Sequence, residues 1–188
     1  MPEETILEQK KSIREEYRKL RAALDDSYRR AAAKNILENF DKLVMSKDNI
    51  DTIGLYWPVD FEIDLMPLVK KFNLHGLKCA LPRISGDNMD FILYTENSTM
   101  QKSQQLSFYE PTGSEIALPD ILAVPLLACD TQRNRIGYGK GFYDRYLRQH
   151  KSFSVGVAYD TLLRRNTLPQ EDHDAQLDAI LTESRFLI

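Results

Sequence analysis

The chain has 188 residues, of which 43% are apolar and 28% are charged, and its formal net charge is −3. A chain of this length can bury roughly 70% of the surface that its unfolded form exposes, so we expect one domain over residues 1–188. The small negative charge gives no general attraction to nucleic acid or to an anionic membrane, and we expect neither as a partner. Any site for an anion must therefore be local.

Cysteine usage and the N-terminal sequence indicate the compartment. Cys79 and Cys129 lie in apolar segments without a CxxC pattern or a histidine at ligand spacing, so buried free thiols are expected. The N-terminus is polar rather than basic and then apolar, and no apolar stretch approaches the ~20 residues of a membrane span. We expect a cytoplasmic protein that is a monomer.

The first predicted element is a long amphipathic helix over residues 3–24, which contain almost no helix breakers. Its apolar stripe, at about 100° per residue, consists of Ile6, Ile13, Tyr17, Leu20 and Leu24. Lys10, Arg14 and Arg21 lie at one edge of that stripe. This basic edge is either a solvated helix face or, through Lys10 and Arg14 one turn apart, a lateral contact to a bound polyphosphate.

A second helix is predicted to begin after a break and an N-cap among Asp25, Asp26 and Ser27 and to run to about Val44. Strand and helix signals then alternate. Strands are predicted at 52–57, 78–81, 89–94, 121–124, 154–158 and 179–182, and helices at 64–72 and 142–150. Prolines are expected to end three of these strands, at Pro58, Pro82 and Pro125. Residues 95–118 are expected to form a loop, with a short strand near 106–109.

The alternation of strands and helices predicts the fold class. It indicates a single three-layer α/β/α domain that is Rossmann-like, with a mainly parallel sheet, and preceded by two N-terminal helices. The run 121–124 is apolar at every position, as a central strand covered on both faces should be.

Glycine is concentrated in one stretch, where Gly137, Gly139 and Gly141 alternate between Arg135 and Lys140. Glycines allow positive φ and inward-facing N–H groups, which together with two cations suit a phosphate; the alternative is an ordinary turn. The stretch follows a predicted strand and precedes a helix, where parallel sheets bind ligands. Its spacing matches neither GxGxxG nor GxxxxGK[ST].

Asp144 lies in the first turn of the helix that follows the glycines. It either pairs favourably with the helix dipole or holds magnesium, which takes oxygen ligands and bridges phosphates.

The stretch Arg-Ile-Gly-Tyr-Gly-Lys-Gly-Phe-Tyr-Asp-Arg resembles the signature of the 5-formyltetrahydrofolate cyclo-ligase family, also called methenyltetrahydrofolate synthetase. Further segments resemble the family in the expected order: Lys10 to Arg14, Phe61 to Asp64, Leu81 to Arg83, Tyr109 to Pro111, and Leu168 to Thr182 with its His173-Asp174 pair and Asp178. The resemblance spans essentially the whole chain. Tyr138 departs from it, because some members carry a basic residue there.

The resemblance implies an enzyme that closes 5-formyltetrahydrofolate to 5,10-methenyltetrahydrofolate and converts ATP to ADP and phosphate. The implied intermediate is an iminophosphate, formed when the γ-phosphoryl group of ATP is transferred to the formyl oxygen. Positioning and charge neutralisation carry most of the catalysis of such a transfer. The implied partners are ATP, Mg²⁺ and 5-formyltetrahydrofolate, with or without a polyglutamate tail.

Residue roles follow from the resemblance position by position. The implied contacts to the ATP phosphates are Lys10, Arg14, Arg135, Gly137, Gly139, Lys140 and Gly141. Asp144 and Asp178 are the implied magnesium ligands. Glu62 would hydrogen-bond the pterin, Trp57 would form an apolar wall, and Tyr143 would lie near the reacting formyl group. Tyr143, Lys140 and Arg135 are the implied catalytic residues.

Two other functions remain open on the sequence. The first is a non-catalytic protein that binds nucleotide or folate. The second is a sugar-phosphate isomerase or an acyl-CoA transferase on a similar sheet, which would use a carboxylate in place of the Lys10 and Arg14 pair and would not need ATP.

Overall fold

The structure is a computed structural model that describes residues 4–188. This part of the chain contains four α-helices: α1 (Ile6–Ala22), α2 (Asp26–Met45), α3 (Leu68–Leu74) and α4 (Phe142–Gln149). Thr5 and Glu8 form a reciprocal capping box at the start of α1, and Asp25 accepts hydrogen bonds from the first backbone N–H groups of α2. The predicted first helix also included Glu3, which lies outside the described residues.

Short strands make up the rest of the regular structure. In chain order they are β1 (Thr52–Gly54), β2 (Lys78–Ser85), β3 (Asn88–Tyr94), β4 (Met100–Lys102), β5 (Tyr109–Pro111), β6 (Ile116–Ala117), β7 (Ile121–Val124), β8 (Ala128–Asp130), β9 (Arg135–Ile136), β10 (Phe153–Val157), β11 (Leu163–Arg164), β12 (Ala179–Leu181) and β13 (Phe186–Leu187).

Within residues 4–188, eight of these strands form one sheet in the order β13-β12-β10-β7-β1-β2-β3-β6. The neighbours from β12 to β2 pair in parallel, whereas β13, β3 and β6 add antiparallel pairs at the two sides. The prediction of an α/β fold with a mainly parallel sheet is confirmed. The remaining strands form a β11-β8-β9 sheet and a β4-β5 hairpin.

Helices cover both faces of the large sheet. Along β7, Ile121 and Ala123 pack in a core with α1, α2 and α3, whereas Leu122 and Val124 pack in a second core that includes Tyr146 of α4. Successive side chains of a strand point to opposite faces, so the two cores lie on opposite sides of the sheet. The two N-terminal helices therefore form part of one layer rather than preceding the layers.

β2 continues through Pro82, although the sequence predicted that it ends there. The backbone N–H of Leu55 bonds to the carbonyl of Ala80, so residue 80, and residue 82 two positions on, direct their backbone polar groups towards β1. β1 ends at Gly54, opposite Ala80. Pro82 lies beyond the last pair with β1, so the N–H that it lacks interrupts neither the β1 ladder nor the pairing of β2 with β3.

Other boundaries differ from the predictions by a few residues. The first strand stops at Gly54 rather than at residue 57, and α3 begins at Leu68 rather than at residue 64. The predicted loop 95–118 contains β4, β5 and β6. Cys79 and Cys129 are buried and free, as predicted. None of the helices between residues 4 and 188 has both the length and the apolarity that crossing a membrane requires.

The buried face of α1 only partly matches the predicted apolar stripe, of which Ile13 and Tyr17 are buried. Its buried residues are Lys10, Ile13, Tyr17 and Arg21, whereas Ile6 and Leu20 are exposed. The basic edge is therefore not a solvated face at Lys10 or Arg21. Both charged groups have acidic or carbonyl partners on distant segments, and these partners make their burial possible.

Candidate active site

A cavity of about 600 Å³ lies beyond the carboxyl ends of the parallel strands β1 and β7. It is bounded by α1, by the glycine stretch and by the start of α4. Among the described residues that line it, seven are Lys or Arg and five are Asp or Glu, whereas the whole chain has a net charge of −3. The cavity is therefore a local positive region in a negative protein, which favours an anionic ligand.

The glycine stretch connects β9 to α4 along one wall of this cavity. Gly139 and Gly141 have positive φ values of 91° and 69°, and Gly141 is the N-cap of α4. Arg14 of α1 donates a hydrogen bond of 2.9 Å from Nε to the carbonyl of Gly137. The guanidinium of Arg14 also lies against Gly139, 3.2 Å from where a Cβ would stand. Arg14 therefore joins the first helix to this wall, residues 137–141, which we call the glycine wall.

Lys10 lies in the same cavity, one turn before Arg14, and its side chain is 4% exposed. Its Nζ forms ion pairs with Glu171, at 2.8 Å, and with Asp174. Burial alone would raise the pKa of Asp174, but the hydrogen bonds from Lys10 and from the backbone N–H of Glu171 lower it overall. Asp174 is thus held as a carboxylate at the cavity wall.

Arg135 and Asp144 form a second buried ion pair, with 2.7 Å between Nη2 and Oδ1. The same oxygen of Asp144 accepts a hydrogen bond of 3.1 Å from the backbone N–H of Ala175. Asp144 is therefore tied to the segment that carries Asp174. Glu171, His173 and Asp174 also offer ligand atoms that lie within 4.8 Å of one another.

Glu62 is a buried carboxylate at the other end of the cavity. Its Oε1 accepts a hydrogen bond of 2.8 Å from the hydroxyl of Tyr138, and its Oε2 accepts one of 3.0 Å from the backbone N–H of Val59. Arg21 lies 3.8 Å from Oε1. Burial raises the pKa of Glu62 to about 7, although these three groups oppose the shift.

Aromatic and apolar side chains surround the Glu62 end. Trp57 lines the cavity and packs against Tyr109, with ring centroids 5.8 Å apart. Tyr143 is partly buried, and its buried hydroxyl has no hydrogen-bond partner among residues 4–188. Burial raises the pKa of Tyr143 well above its ordinary value, so this residue is a neutral phenol. The other apolar walls are Pro82, Ile84, Met89 and Phe108.

The structure brings together all but one of the residues singled out from the sequence. The exception is Asp178, which does not line the cavity. Its carboxylate accepts hydrogen bonds of 2.8 and 2.6 Å from the backbone N–H and the hydroxyl of Ser154. Asp178 therefore lies at the amino ends of β10 and β12, on the edge of the sheet opposite the cavity. Its prediction as a metal ligand is wrong, and its role is to join two strands.

Several cavity residues had no role in the prediction. Asp174 was part of a matching segment, but only the structure places it in the cavity, next to Ala175, whose backbone N–H bonds to Asp144. Tyr138 was noted only as a departure from the family pattern. Glu110 and Arg83 do not belong to the site: Glu110 bonds to Gln101 and the backbone of Ile84, and Arg83 bonds to the carbonyl of Gly113.

The fold and cavity define a class: an α/β protein with a cationic, glycine-lined anion site joined to an aromatic pocket. A family model described as the 5-formyltetrahydrofolate cyclo-ligase family matches residues 6–183, and the chain belongs to this family. The resemblance read from the glycine stretch is confirmed, as is the prediction of a ligase in folate one-carbon metabolism.

Curated relatives carry the same name. The chain is 33% identical over 184 residues to a 5-formyltetrahydrofolate cyclo-ligase of Haemophilus influenzae, which covers 93% of this chain and 97% of that protein. It is 34% identical over 145 residues to that of Escherichia coli K12, with 71% and 79% covered.

Solved structures agree on the fold. The NMR structure of 5,10-methenyltetrahydrofolate synthetase from Aquifex aeolicus superposes with a TM-score of 0.83 at 28% identity, covering 95% of this chain and 91% of that one. A methenyltetrahydrofolate synthetase from Mycoplasma pneumoniae has a TM-score of 0.75 at 23% identity, covering 93% and 98%, and shows the fold alone.

Proposed function

We propose that this chain closes 5-formyltetrahydrofolate to 5,10-methenyltetrahydrofolate and converts ATP to ADP and phosphate. The formyl oxygen attacks the γ-phosphorus, the bond from that phosphorus to the bridging oxygen breaks, and ADP leaves. N10 then attacks the carbon of the iminophosphate and loses its proton. Phosphate leaves with the electron pair of the C–O bond, and the methenyl cation remains.

One observation carries this proposal. A single cavity holds a cationic glycine wall at one end and an aromatic pocket with a buried carboxylate at the other. A reaction between a nucleoside triphosphate and a folate needs a phosphate site and a folate site that adjoin each other, because the γ-phosphorus must reach the formyl oxygen. A protein that binds only one of these ligands has no need for the second end.

The cationic end would hold the phosphates. Arg14 and Lys140 offer charges beside the glycine wall, and Lys10 and Arg135 line it from α1 and β9. Gly141 stands at the N-terminus of α4, where backbone N–H groups and the helix dipole favour an anion. We infer that these groups neutralise the charge that spreads over the transferred phosphoryl group.

The donor set fits magnesium. Asp144 and Asp174 offer carboxylate oxygens, which are the ligands that this ion prefers, and both line the cavity in contact with a cation, Arg135 and Lys10 respectively. Bound there, magnesium would supply positive charge that neutralises phosphate oxygens. Without it, Arg135 and Lys10 hold these two acids in ion pairs.

The folate end would orient the second substrate. The pterin presents an N–H and amino edge, and Glu62 is the carboxylate that can accept from it. Trp57 would form one wall of the pterin site. The hydroxyl of Tyr143 would reach the formyl and N10 region, where a neutral phenol can donate a hydrogen bond.

We further propose that the protein is a cytoplasmic monomer whose substrates are small molecules, with no nucleic acid or membrane as partner. Buried free cysteines and the small net charge support this. Sedimentation in the presence and absence of MgATP checks the oligomeric state.

Conversion of 5-formyltetrahydrofolate tests the function. We expect the absorbance of the methenyl product to rise only when ATP and magnesium are both present, with one ADP formed per product. Tight binding of both ligands without ADP formation would instead select the non-catalytic binding protein. Turnover of a sugar phosphate or an acyl-CoA without ATP would instead indicate a sugar-phosphate isomerase or an acyl-CoA transferase. No product from well-folded protein overturns the proposal.

A further inference from the structure

Three side chains from distant segments form a buried chain of polar contacts behind the folate end of the cavity. Arg21 comes from α1, Glu62 from the segment between β1 and α3, and Tyr138 from the glycine stretch. Arg21 donates a hydrogen bond of 2.5 Å from Nη2 to the hydroxyl of Tyr138. Tyr138 donates in turn to Glu62, at 2.8 Å.

The direction of these bonds follows from chemistry. A guanidinium can only donate, and an ionised carboxylate can only accept, so while Glu62 is ionised the Tyr138 hydroxyl accepts from Arg21 and donates to Glu62. Burial and the nearby Glu62 charge raise the pKa of Tyr138, which keeps it a phenol that can donate. Arg21 is itself held in place by a hydrogen bond of 3.1 Å from Nη1 to the carbonyl of Leu126.

Both oxygens of Glu62 are thereby oriented by the protein. One accepts from Tyr138 and the other from the backbone N–H of Val59. Each carboxylate oxygen can accept a second hydrogen bond, so capacity is left on both for a ligand in the cavity. The arrangement fixes the plane of the carboxylate, as a group that must meet a planar N–H and amino edge requires.

We propose that Tyr138 and Arg21 are positioning residues that hold the Glu62 carboxylate oriented for the pterin. This inference rests on the proposed function, in which Glu62 binds the folate. Because Tyr138 stands between Gly137 and Gly139, the same bond links the folate acid to the wall that would bind ATP. Tyr138 acts through Glu62 and need not touch the reacting atoms.

The charge of Glu62 depends on the groups that face it from each element. Arg21 and Tyr138 stabilise the carboxylate form, whereas burial and Asp60 favour the protonated form. Tyr56 and Tyr143 are the other titratable side chains that interact with Glu62, and desolvation raises the pKa of both, so both are neutral phenols. Loss of the Tyr138 hydroxyl therefore shifts Glu62 towards the protonated acid, which cannot accept fully from the pterin.

Binding of 5-formyltetrahydrofolate, measured by calorimetry between pH 6 and 8.5 without ATP, tests the proposal. We expect Tyr138→Phe to weaken binding about tenfold at the acidic end, the factor that one unit of pKa shift produces, and less at the alkaline end, where Glu62 ionises again. The phenyl ring remains to pack beside Arg18 and Arg21, so the fold should be kept.

Tyr146→Phe is the matched control. Tyr146 is another buried tyrosine, but its hydroxyl has no partner among residues 4–188 and does not line the cavity. We expect this variant to bind folate as the unaltered protein does at every pH. ATP affinity should be unchanged in both Tyr138→Phe and Tyr146→Phe, because the hydrogen bond from Tyr138 to Glu62 does not involve the phosphates.

Glu62→Gln completes a double-mutant cycle. We expect it to weaken folate binding and to remove the pH dependence, and Tyr138→Phe should then add little. Equal folate affinity of Tyr138→Phe and the unaltered protein at all pH values overturns the proposal. The proposal is also overturned if Tyr138→Phe weakens folate binding as much in the Glu62→Gln background as in the unaltered protein. A parallel loss of ATP affinity in Tyr138→Phe overturns it too, because that loss indicates collapse of the glycine wall. Conversion of substrate by the unaltered protein is measured separately, so failure of the function and of this positioning role are distinguishable.

Discussion

Arg135 and Lys140 flank the same glycines but stand in different surroundings. Arg135 is buried and paired with Asp144, whereas Lys140 is exposed and takes part in none of the ion pairs found in residues 4–188. A buried charge that loses its partner costs much more than a solvated one. The two residues should therefore separate structural from ligand-binding effects.

We expect Lys140→Ala to keep the unfolding temperature and to lose most of its kcat/KM for ATP. Arg135→Ala should lose turnover and also several degrees of unfolding temperature, since Asp144 is left unpaired. Thermal unfolding and steady-state kinetics measure both. Wild-type kinetics for Lys140→Ala would remove this residue from the phosphate site.

The ionisation of Glu62 gives a pH-dependent prediction. Its pKa rises from an ordinary 4.5 to about 7 on folding, so the folded chain retains a proton that the unfolded chain releases. Stability therefore falls as pH rises through this window, by up to about 3 kcal/mol at roughly 1.4 kcal/mol per unit of pKa. The Glu62→Gln variant has no titrating carboxyl group at this position, so its stability does not fall in this pH window.

We expect the two proteins to unfold at similar temperatures near pH 5, and Glu62→Gln to become progressively the more stable of the two towards pH 8. Thermal unfolding at several pH values, without ligand, checks this. A stability difference that does not vary with pH would contradict the assigned pKa.

At the scale of elements, the glycine wall combines backbone conformation with a close contact. Alanine at residue 139 would be strained at a φ of +91°, and its Cβ would press on the guanidinium of Arg14. Gly76, at a φ of +79°, carries the same strain with no atom within 4 Å of a new Cβ. The two positions therefore differ in the contact with α1.

We expect Gly139→Ala and Gly76→Ala each to cost about 1 kcal/mol of stability, as alanine at positive φ does. In addition, only Gly139→Ala should weaken ATP binding, because Arg14 must move away from the wall. Urea unfolding and nucleotide titration measure the two effects. Equal ATP affinity of both variants would show that the Arg14 contact is not needed.

At the scale of the molecule, the cavity joins the two ends of the chain. Lys10 pairs with acids more than 160 residues away, and Arg14 bonds to Gly137. A ligand held by both sides stabilises the folded state by its own binding free energy, about 2.7 kcal/mol at a hundred times its Kd.

We expect saturating MgATP to raise the unfolding temperature by several degrees and to slow amide exchange in α1 as well as in residues 137–141. Lys10→Met should lose most of this shift. Lys11→Met is the control, since Lys11 follows Lys10 on the same helix but is exposed. Protection confined to residues 137–141 would mean that α1 does not contact the nucleotide.

Local patterns predicted much of this fold. Helices 142–150 and 27–44 and strand 121–124 were found nearly to the residue, since caps, periodicity and an unbroken apolar run act over a few residues. Boundaries that depend on a neighbouring strand were missed, and Pro82 is the example. That the chain forms one domain over 1–188 stays a prediction.

The sequence alone determined the glycine wall, the cations beside it and the family, because these are matters of residue type and spacing within short segments. Only the tertiary structure decided that Lys10 and Arg21 are buried, that Asp174 rather than Asp178 lines the cavity with Asp144, and that Tyr138 donates a hydrogen bond to Glu62. Each of these depends on which carboxylate or hydroxyl a distant segment brings within hydrogen-bond distance. Charge burial is stable only with such partners, and spacing along the chain does not reveal them.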